Sequence, residues 1–333
     1  MNHPKSETPF MKIWTCRRYG SPEVLKMEEL PRPVPKANEV LVRLSATTVS
    51  SGDVRLRTQK LPRGFGLIGR LIFGIRGLRQ PILGTEFSGI VEAVGASVTT
   101  YQIGDAVIGF ADTGMRCHAE YRVMSVDQLL VAKPPNLNFT EAAAMCFGGT
   151  TALHFLRKAD LAAGEKILIL GASGAVGSAM VQLARHFGAE VTGLASTRNL
   201  ELVKSLGARA VIDYTQQDFT TLPGGYDVIA DTAAVSSFSR CLPLLTEHGR
   251  YLAVAADLRG TLARPVGTRK SIGGPASVTL EAVRELASLA EAGTFKAVID
   301  QVFPFARMKE AHALAETGHK RGSVVVTLND TPS

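Results

Sequence analysis

Lys166 to Phe187 reads KILILGASGAVGSAMVQLARHF: an apolar run, a glycine-punctuated turn, then apolar residues at helical spacing. The run ends in Ile169-Leu170, glycines follow at 171, 174 and 177, and Ala179, Met180, Leu183, Ala184 and Phe187 form one helical face. A pyrophosphate needs a helix N-terminus with unpaired N–H groups and no side chain in the way. Gly174 supplies close approach, and Gly177 lets the helix pack tightly on its strand. Ala172 stands where the usual G-x-G-x-x-G has its first glycine, so the register is A-x-G-x-x-G with Gly171 in front. Gly188 stops the helix and a second strand begins at Glu190, which places Gly171, Ala172, Ser173, Gly174, Ala175, Val176 and Gly177 at a strand-to-helix turn able to bind a dinucleotide.

With 333 residues, 45% apolar and 20% charged, the chain is long enough for two domains and has the composition of a globular enzyme. No run of about 18 uncharged apolar residues occurs, and MNHPKSETPF has no apolar signal core, so we expect a cytoplasmic protein without a membrane partner. Four scattered cysteines, Cys16, Cys117, Cys146 and Cys241, suit neither a disulfide framework nor a zinc knuckle. The net charge of +7 is spread along the chain except around Arg63, Arg70, Arg76 and Arg79, and no nucleic-acid motif accompanies it.

From Ile13 to Lys133 short β-like runs alternate with Gly and Pro, predicting a small, mostly antiparallel domain. Within it Pro62 to Gln80, PRGFGLIGRLIFGIRGLRQ, reads as a long loop or lid. From Thr140 helices alternate with strands, which predicts an α/β, doubly wound parallel sheet. Helices are expected over Glu141–Met145, Thr151–Lys158, Leu280–Ala292 and Met308–Glu316, and the final run SVVVTL is expected to rejoin the first domain. The expected division is 11–135 with 298–333 in one domain and 136–297 in the other.

The order of β domain, dinucleotide turn and return strand, with GTEFSGIVEAVG, QIGDAVIGF, AEY and EAAAMCFGGTTAL ahead of GASGAVGSAMVQLA, resembles the medium-chain dehydrogenase/reductase superfamily, in its zinc-free quinone oxidoreductase branch. The resemblance spans Met11 to Leu328 and implies a GroES-like catalytic domain beside a Rossmann domain, with the active site in the cleft between them. The zinc-dependent members hold their metal with a Cys, a His and a second Cys; here the matching positions read Ser50, Thr85 and Cys146. One thiol and two hydroxyls make a poor zinc site, so no metal is expected. Cys146 then reads as a buried small residue. Glu86 and Asp53 match acidic positions near that metal, and structural roles are expected of both.

An NAD-preferring site places an acid about 20 residues beyond the glycine turn. Here that position is Ala195, followed by Ser196, Thr197 and Arg198, which suit a 2′-phosphate and point to NADPH. The resemblance adds Tyr214 near the same phosphate and, more weakly, Lys320 and Arg321 on the cofactor. Without a metal, hydride transfer to a quinone or an α,β-unsaturated carbonyl fits best, because the conjugated acceptor stabilises its own developing charge. Ser50 and Thr85 are the candidate donors to the substrate oxygen, with pocket lining as the equal alternative. His118 and His154 read as structural. Alcohol dehydrogenation or enoyl-thioester reduction without zinc, and a non-catalytic NADPH-binding scaffold or sensor, stay open. The family resemblance also implies a homodimer, expected to pair strand edges around Arg250 to Val254 and TLARPV.

Overall fold

The structure is a computed structural model that describes residues 9–61, 64, 66–255 and 262–328. Its first sheet is seven-stranded in the order β14-β15-β3-β4-β5-β7, with β6 on the flank of β3. The strands are β3 (Glu39–Val49), β4 (Glu86–Val94), β5 (Ala106–Phe110), β6 (Tyr121–Ser125), β7 (Leu130–Ala132), β14 (Ile299–Pro304) and β15 (Ser323–Thr327). The C-terminal run rejoins this sheet, β15 pairing antiparallel with β3 from Val324 opposite Val49 to Thr327 opposite Ala46. A hairpin of β1 (Phe10–Cys16) and β2 (Leu25–Pro31) stands beside it.

The second sheet is six-stranded, in the order β10-β9-β8-β11-β12-β13, and every pairing is parallel. It comprises β8 (Lys166–Leu170), β9 (Glu190–Ala195), β10 (Ala210–Asp213), β11 (Tyr226–Asp231), β12 (Leu245–Ala253) and β13 (Lys270–Gly273). The ILIL of β8 is fully buried because both faces of the sheet are covered. Ile167 and Ile169 face one core, with Met180, Leu183 and Leu286; Leu168 and Leu170 face the other, with Phe238, Leu244 and Tyr251. The strand order reverses between β8 and β11, and the turn after β8 opens at that switch point, where a doubly wound sheet leaves a crevice for ligand.

Helices α1 (Ser51–Thr58), α2 (Gly66–Phe73), α3 (Phe139–Ala143), α4 (Cys146–Lys158), α5 (Ala175–His186), α6 (Leu200–Ser205), α7 (Phe238–Cys241), α8 (Leu280–Glu291) and α9 (Met308–Glu316) complete the described elements considered below. Three sequence readings are corrected. The segment 62–80, expected to be a loop, contains α2, whose period is masked by its glycines; Pro62, Arg63 and Phe65 lie outside the described residues. Helix α4 starts at Cys146, five residues before the expected Thr151, because Gly148 and Gly149 are contact points and not breaks. A Cβ on Gly148 would lie 2.5 Å from Ala175 O, and one on Gly149 would lie 2.7 Å from Leu286 Cδ1. The strand containing Arg250 to Ala253 is interior, paired with β11 on one side and with β13 on the other, so the terminal strand is the four-residue β13. Thr261 of the TLARPV stretch lies outside the described residues, and Val266 bridges to Arg269.

Because Gly148 sets the approach of α4 to the start of α5, Gly148→Ala forces backbone apart. We expect chemical denaturation to show a loss of about 1–3 kcal/mol, the usual cost of overpacking.

Candidate functional site in the cleft

The wall from the first sheet is organised by Asp53, which is 1% exposed. Ser50 caps α1 in a capping box: its hydroxyl accepts from Asp53 N–H at 3.2 Å and donates to Asp53 Oδ2 at 2.6 Å, while its own N–H donates to the same oxygen at 2.8 Å. The second oxygen, Oδ1, accepts from Gly84 N–H at 2.8 Å. One carboxylate thus ties the start of α1 to the strand entry at Gly84, Thr85 and Glu86. Thr85 Oγ1 is shielded from solvent and has no hydrogen-bond partner among the described residues. The two candidate donors therefore differ: Ser50 has its proton committed to Asp53, and the Thr85 hydroxyl has no acceptor among the described residues.

Glu86 is 1% exposed and accepts from Thr48 Oγ1 at 2.6 Å and from Phe147 N–H, in the first turn of α4, at 2.7 Å. Burial lifts its carboxyl from the usual 4.5 to about 7, against those hydrogen bonds and with the negative charge of Asp53 adding to the rise. Next to Phe147, Gly148 rests on Ala175 at the dinucleotide turn. The first turn of α4 is therefore a strut between the acidic wall and the turn.

On the other side, Gly174 is the N-cap of α5 with no side-chain cap, leaving the N–H groups of Ala175, Val176 and Gly177 turned to the cleft end of the helix. A Cβ on Gly174 would meet nothing closer than Gly171 O at 3.5 Å, whereas one on Gly177 would lie 2.1 Å from that oxygen. The open cradle and the tight helix–strand contact expected of these two glycines are both present. Ala172 is buried, its N–H bonded to Leu194 O at 3.0 Å. Ser173 accepts from Gly322 N–H through its carbonyl at 2.8 Å, and from Asn199 Nδ2 through its hydroxyl at 3.1 Å.

At the end of β9, Ser196 accepts from Asn199 Nδ2 at 3.2 Å, and Arg198 donates through Nη2 to His319 O at 2.6 Å. Tyr214 is 50% exposed, its N–H on Ala195 O at 3.1 Å. Thr197 turns to Asp213, donating to Oδ2 at 2.5 Å. Arg321 reaches Asp300 at 3.5 Å. Three participants were not singled out from sequence or were only weakly so. Asn199 looks like a helix-entry residue, but it is 4% exposed and joins Ser173 to Ser196. Asp213 reads as a strand end; its carboxyl is held below the ordinary range by the Thr197 hydroxyl. Lys320 is half-buried, donates to Gly322 O, and has its ammonium pushed down to about 8 by burial, against the pull of Asp300 and Glu86.

His118 is fully buried with Nε2 3.0 Å from Thr48 O, and His154 Nδ1 accepts from Ser277 N–H at 3.3 Å. Cys146 packs in the core of the second domain. Among the described residues no group of three or more His, Cys, Asp or Glu side chains converges to hold a metal. A cavity of about 510 Å³ lined by Tyr101, Lys133, Arg284 and Glu291 shares no residue with the turn or the acidic wall.

Two family models match, one described as alcohol dehydrogenase GroES-like domain over residues 36–152 and one as zinc-binding dehydrogenase over residues 206–326. The NADPH-dependent alkenal/one oxidoreductase of Arabidopsis thaliana is 32% identical over 330 residues, covering 95% of this chain and 79% of that protein. The chain belongs to the medium-chain dehydrogenase/reductase superfamily, in its quinone oxidoreductase-like branch. The quinone oxidoreductase of Sus scrofa is 32% identical over 329 residues, covering 92% of this chain and 93% of that protein. The structure of the quinone oxidoreductase from Coxiella burnetii superposes with a TM-score of 0.82 at 28% identity, covering 96% of this chain and 100% of that one. In this superfamily member the GroES-like domain supplies the Asp53–Glu86 wall and the Rossmann domain supplies the turn.

Glu86 binds its proton more tightly in the folded chain than in the unfolded one between pH 4.5 and about 7. Stability from this group is therefore greatest at low pH and falls as pH rises through that window, by roughly 2–3 kcal/mol between about pH 5 and pH 8. Glu86→Gln keeps an acceptor for Phe147 and a donor for Thr48, as the protonated acid does, so urea titrations of this variant should lack that decline.

Proposed function

We propose that the protein is an NADPH-dependent, metal-free oxidoreductase that transfers hydride to quinones or α,β-unsaturated carbonyls. The observation that carries this reading is the uncapped N-terminus of α5 at the open Gly174, tied to the first sheet by Gly322 N–H on Ser173 O, with Lys320 held beside it on Gly322 O. The residues present fit NADPH: the bare Gly174 cradle and the α5 N-terminus suit the pyrophosphate, and Arg198, Ser196 and Tyr214 suit the 2′-phosphate. The Arabidopsis relative, an NADPH-dependent alkenal/one oxidoreductase, supports the same cofactor and acceptor class, and the 2-methylene-furan-3-one reductase of Solanum lycopersicum, 33% identical over 327 residues, supports the acceptor class. The residues do not fit a catalytic zinc, since Ser50 is committed to Asp53, Thr85 offers a neutral hydroxyl and Cys146 lies in the core.

Bound NADPH supplies the hydride from C4 of its nicotinamide. Thr85 donates a hydrogen bond from its hydroxyl to the acceptor oxygen as negative charge builds there, Lys320 stays protonated at Nζ as compensating positive charge, and solvent supplies the proton that completes the enolate or hydroquinone product. Asp53 and Ser50 fix the position of Thr85 without taking part. Glu86 sets the separation of the two walls through Phe147. We further propose a cytoplasmic location, four reduced cysteines and a homodimer joined along β13; among the described residues no helix is long and apolar enough to cross a membrane.

NADPH oxidation should proceed with an enone and a quinone, and not with an aldehyde. NADPH binding without turnover of any of these or of an enoyl thioester would leave only a scaffold or sensor. Arg198→Ala should raise KM for NADPH roughly tenfold while leaving that for NADH unchanged, the loss of one charge-assisted contact. In the native protein kcat/KM should fall as pH rises through about 8 and Lys320 loses its proton; Lys320→Gln should be slower with no such alkaline limb.

A further inference from the structure

Between Asp53 and Glu86 the sequence carries Arg55, Arg57, Lys60, Arg63, Arg70, Arg76 and Arg79 and no acidic residue. Its described part is anchored on one side only. Gly69 and Phe73 of α2 turn inward, Gly74 O accepts from Tyr19 Oη at 2.6 Å, and Leu78 joins the core of the first domain. The opposite side presents Leu71, Ile72 and Ile75, exposed by 56%, 58% and 66%. Arg76 and Arg79 are exposed beside them, as are Arg18 and Lys60, and among the described residues none of these four has an ion-pair partner.

Three large apolar side chains held out in water have no stabilising role in the monomer, and the unneutralised cations of the same segment repel a second copy of this surface. An anionic phospholipid surface satisfies both features, taking the apolar side chains between headgroups and the guanidinium groups at the phosphates. We propose that α2 and the turn after it dock the protein peripherally on anionic membranes. Both ends of the segment are held by Asp53, through Ser50 and Gly84, and α1 spans only about 12 Å at 1.5 Å per residue. Docking therefore brings the cleft wall close to the lipid, where an apolar acceptor is concentrated.

The test is sedimentation of the full chain with vesicles of phosphatidylcholine alone and with one third phosphatidylglycerol. Partition onto the anionic vesicles only, weakening as salt rises from about 0.05 M to about 0.5 M, is the expected result. Arg76→Gln with Arg79→Gln should lower the partition coefficient roughly thirtyfold, from the usual contribution of each basic residue at such a surface. Leu71→Ser with Ile72→Ser and Ile75→Ser should lower it as well, with an unchanged urea unfolding midpoint as the check on folding. Equal partition onto both vesicles, no response to either set of substitutions, or light scattering showing a dimer that the serine variant dissociates would overturn the proposal. Each readout is independent of whether the enone is the right substrate.

Discussion

The backbone hydrogen bond from Gly322 N–H to Ser173 O, at 2.8 Å, is the constraint on which the cleft depends. It fastens the last turn before β15, a strand of the first sheet, to the glycine turn of the second. The pairing of Gly174 with Gly322 as a parallel bridge, and the hydrogen bond of Arg198 to His319 O, brace the same contact. Since β15 pairs with β3, and β3 ends at Val49 just before Ser50, the position of the turn is transmitted through one strand pair to the acidic wall. The strut at Phe147 and Gly148 closes the circuit from the other direction. The two domains are thus held at one separation by the backbone groups of Gly322 and Ser173, braced by the side chains of Arg198 and Glu86.

The acidic wall is costly to build, and its residues show how the cost is contained. Asp53 is buried yet accepts hydrogen bonds at both oxygens from Ser50 and Gly84, so its charge is spread over fixed donors. Glu86 has two strong donors and still carries a raised pKa, because burial, with the neighbouring Asp53 charge adding to it, outweighs them. Arg57, fully buried at the far end of α1, is compensated by Glu316 at 2.6 Å and by His312 Nδ1 at 3.3 Å. The burial of His312 and the positive Arg57 beside it hold that imidazole neutral. Helix α1 is therefore pinned at its start by an anion and at its end by a cation, an arrangement that also favours its dipole.

Much of this was legible in the sequence, for identifiable reasons. The strand-turn-helix at Lys166 to Phe187 is local, and its glycine spacing reports a backbone requirement directly. The return of SVVVTL to the first sheet followed from its β-branched run and from the family resemblance. What was not legible depended on contacts between distant segments. Gly148 and Gly149 look like helix breakers until Ala175 and Leu286 are placed against them. The division of labour between Ser50 and Thr85 rests on where Asp53 points, which no spacing rule supplies. Helix α2 was hidden because Gly66, Gly69 and Gly74 interrupt its apolar period.

The donors in the cleft limit the chemistry that the proposed reaction can reach. A neutral threonine hydroxyl stabilises a developing oxyanion modestly, and a lysine held near 8 by burial is a partial reserve of positive charge at neutral pH. An isolated ketone would place the full charge of an alkoxide on that oxygen, which ordinarily calls for a metal or a strong acid. A conjugated acceptor distributes the charge over several atoms before a proton arrives, so less is asked of the protein. For the proposed reaction, the same weakness of Thr85 and Lys320 as donors that disfavours simple carbonyls would be a source of selectivity, since an acceptor that stabilises its own charge asks least of them.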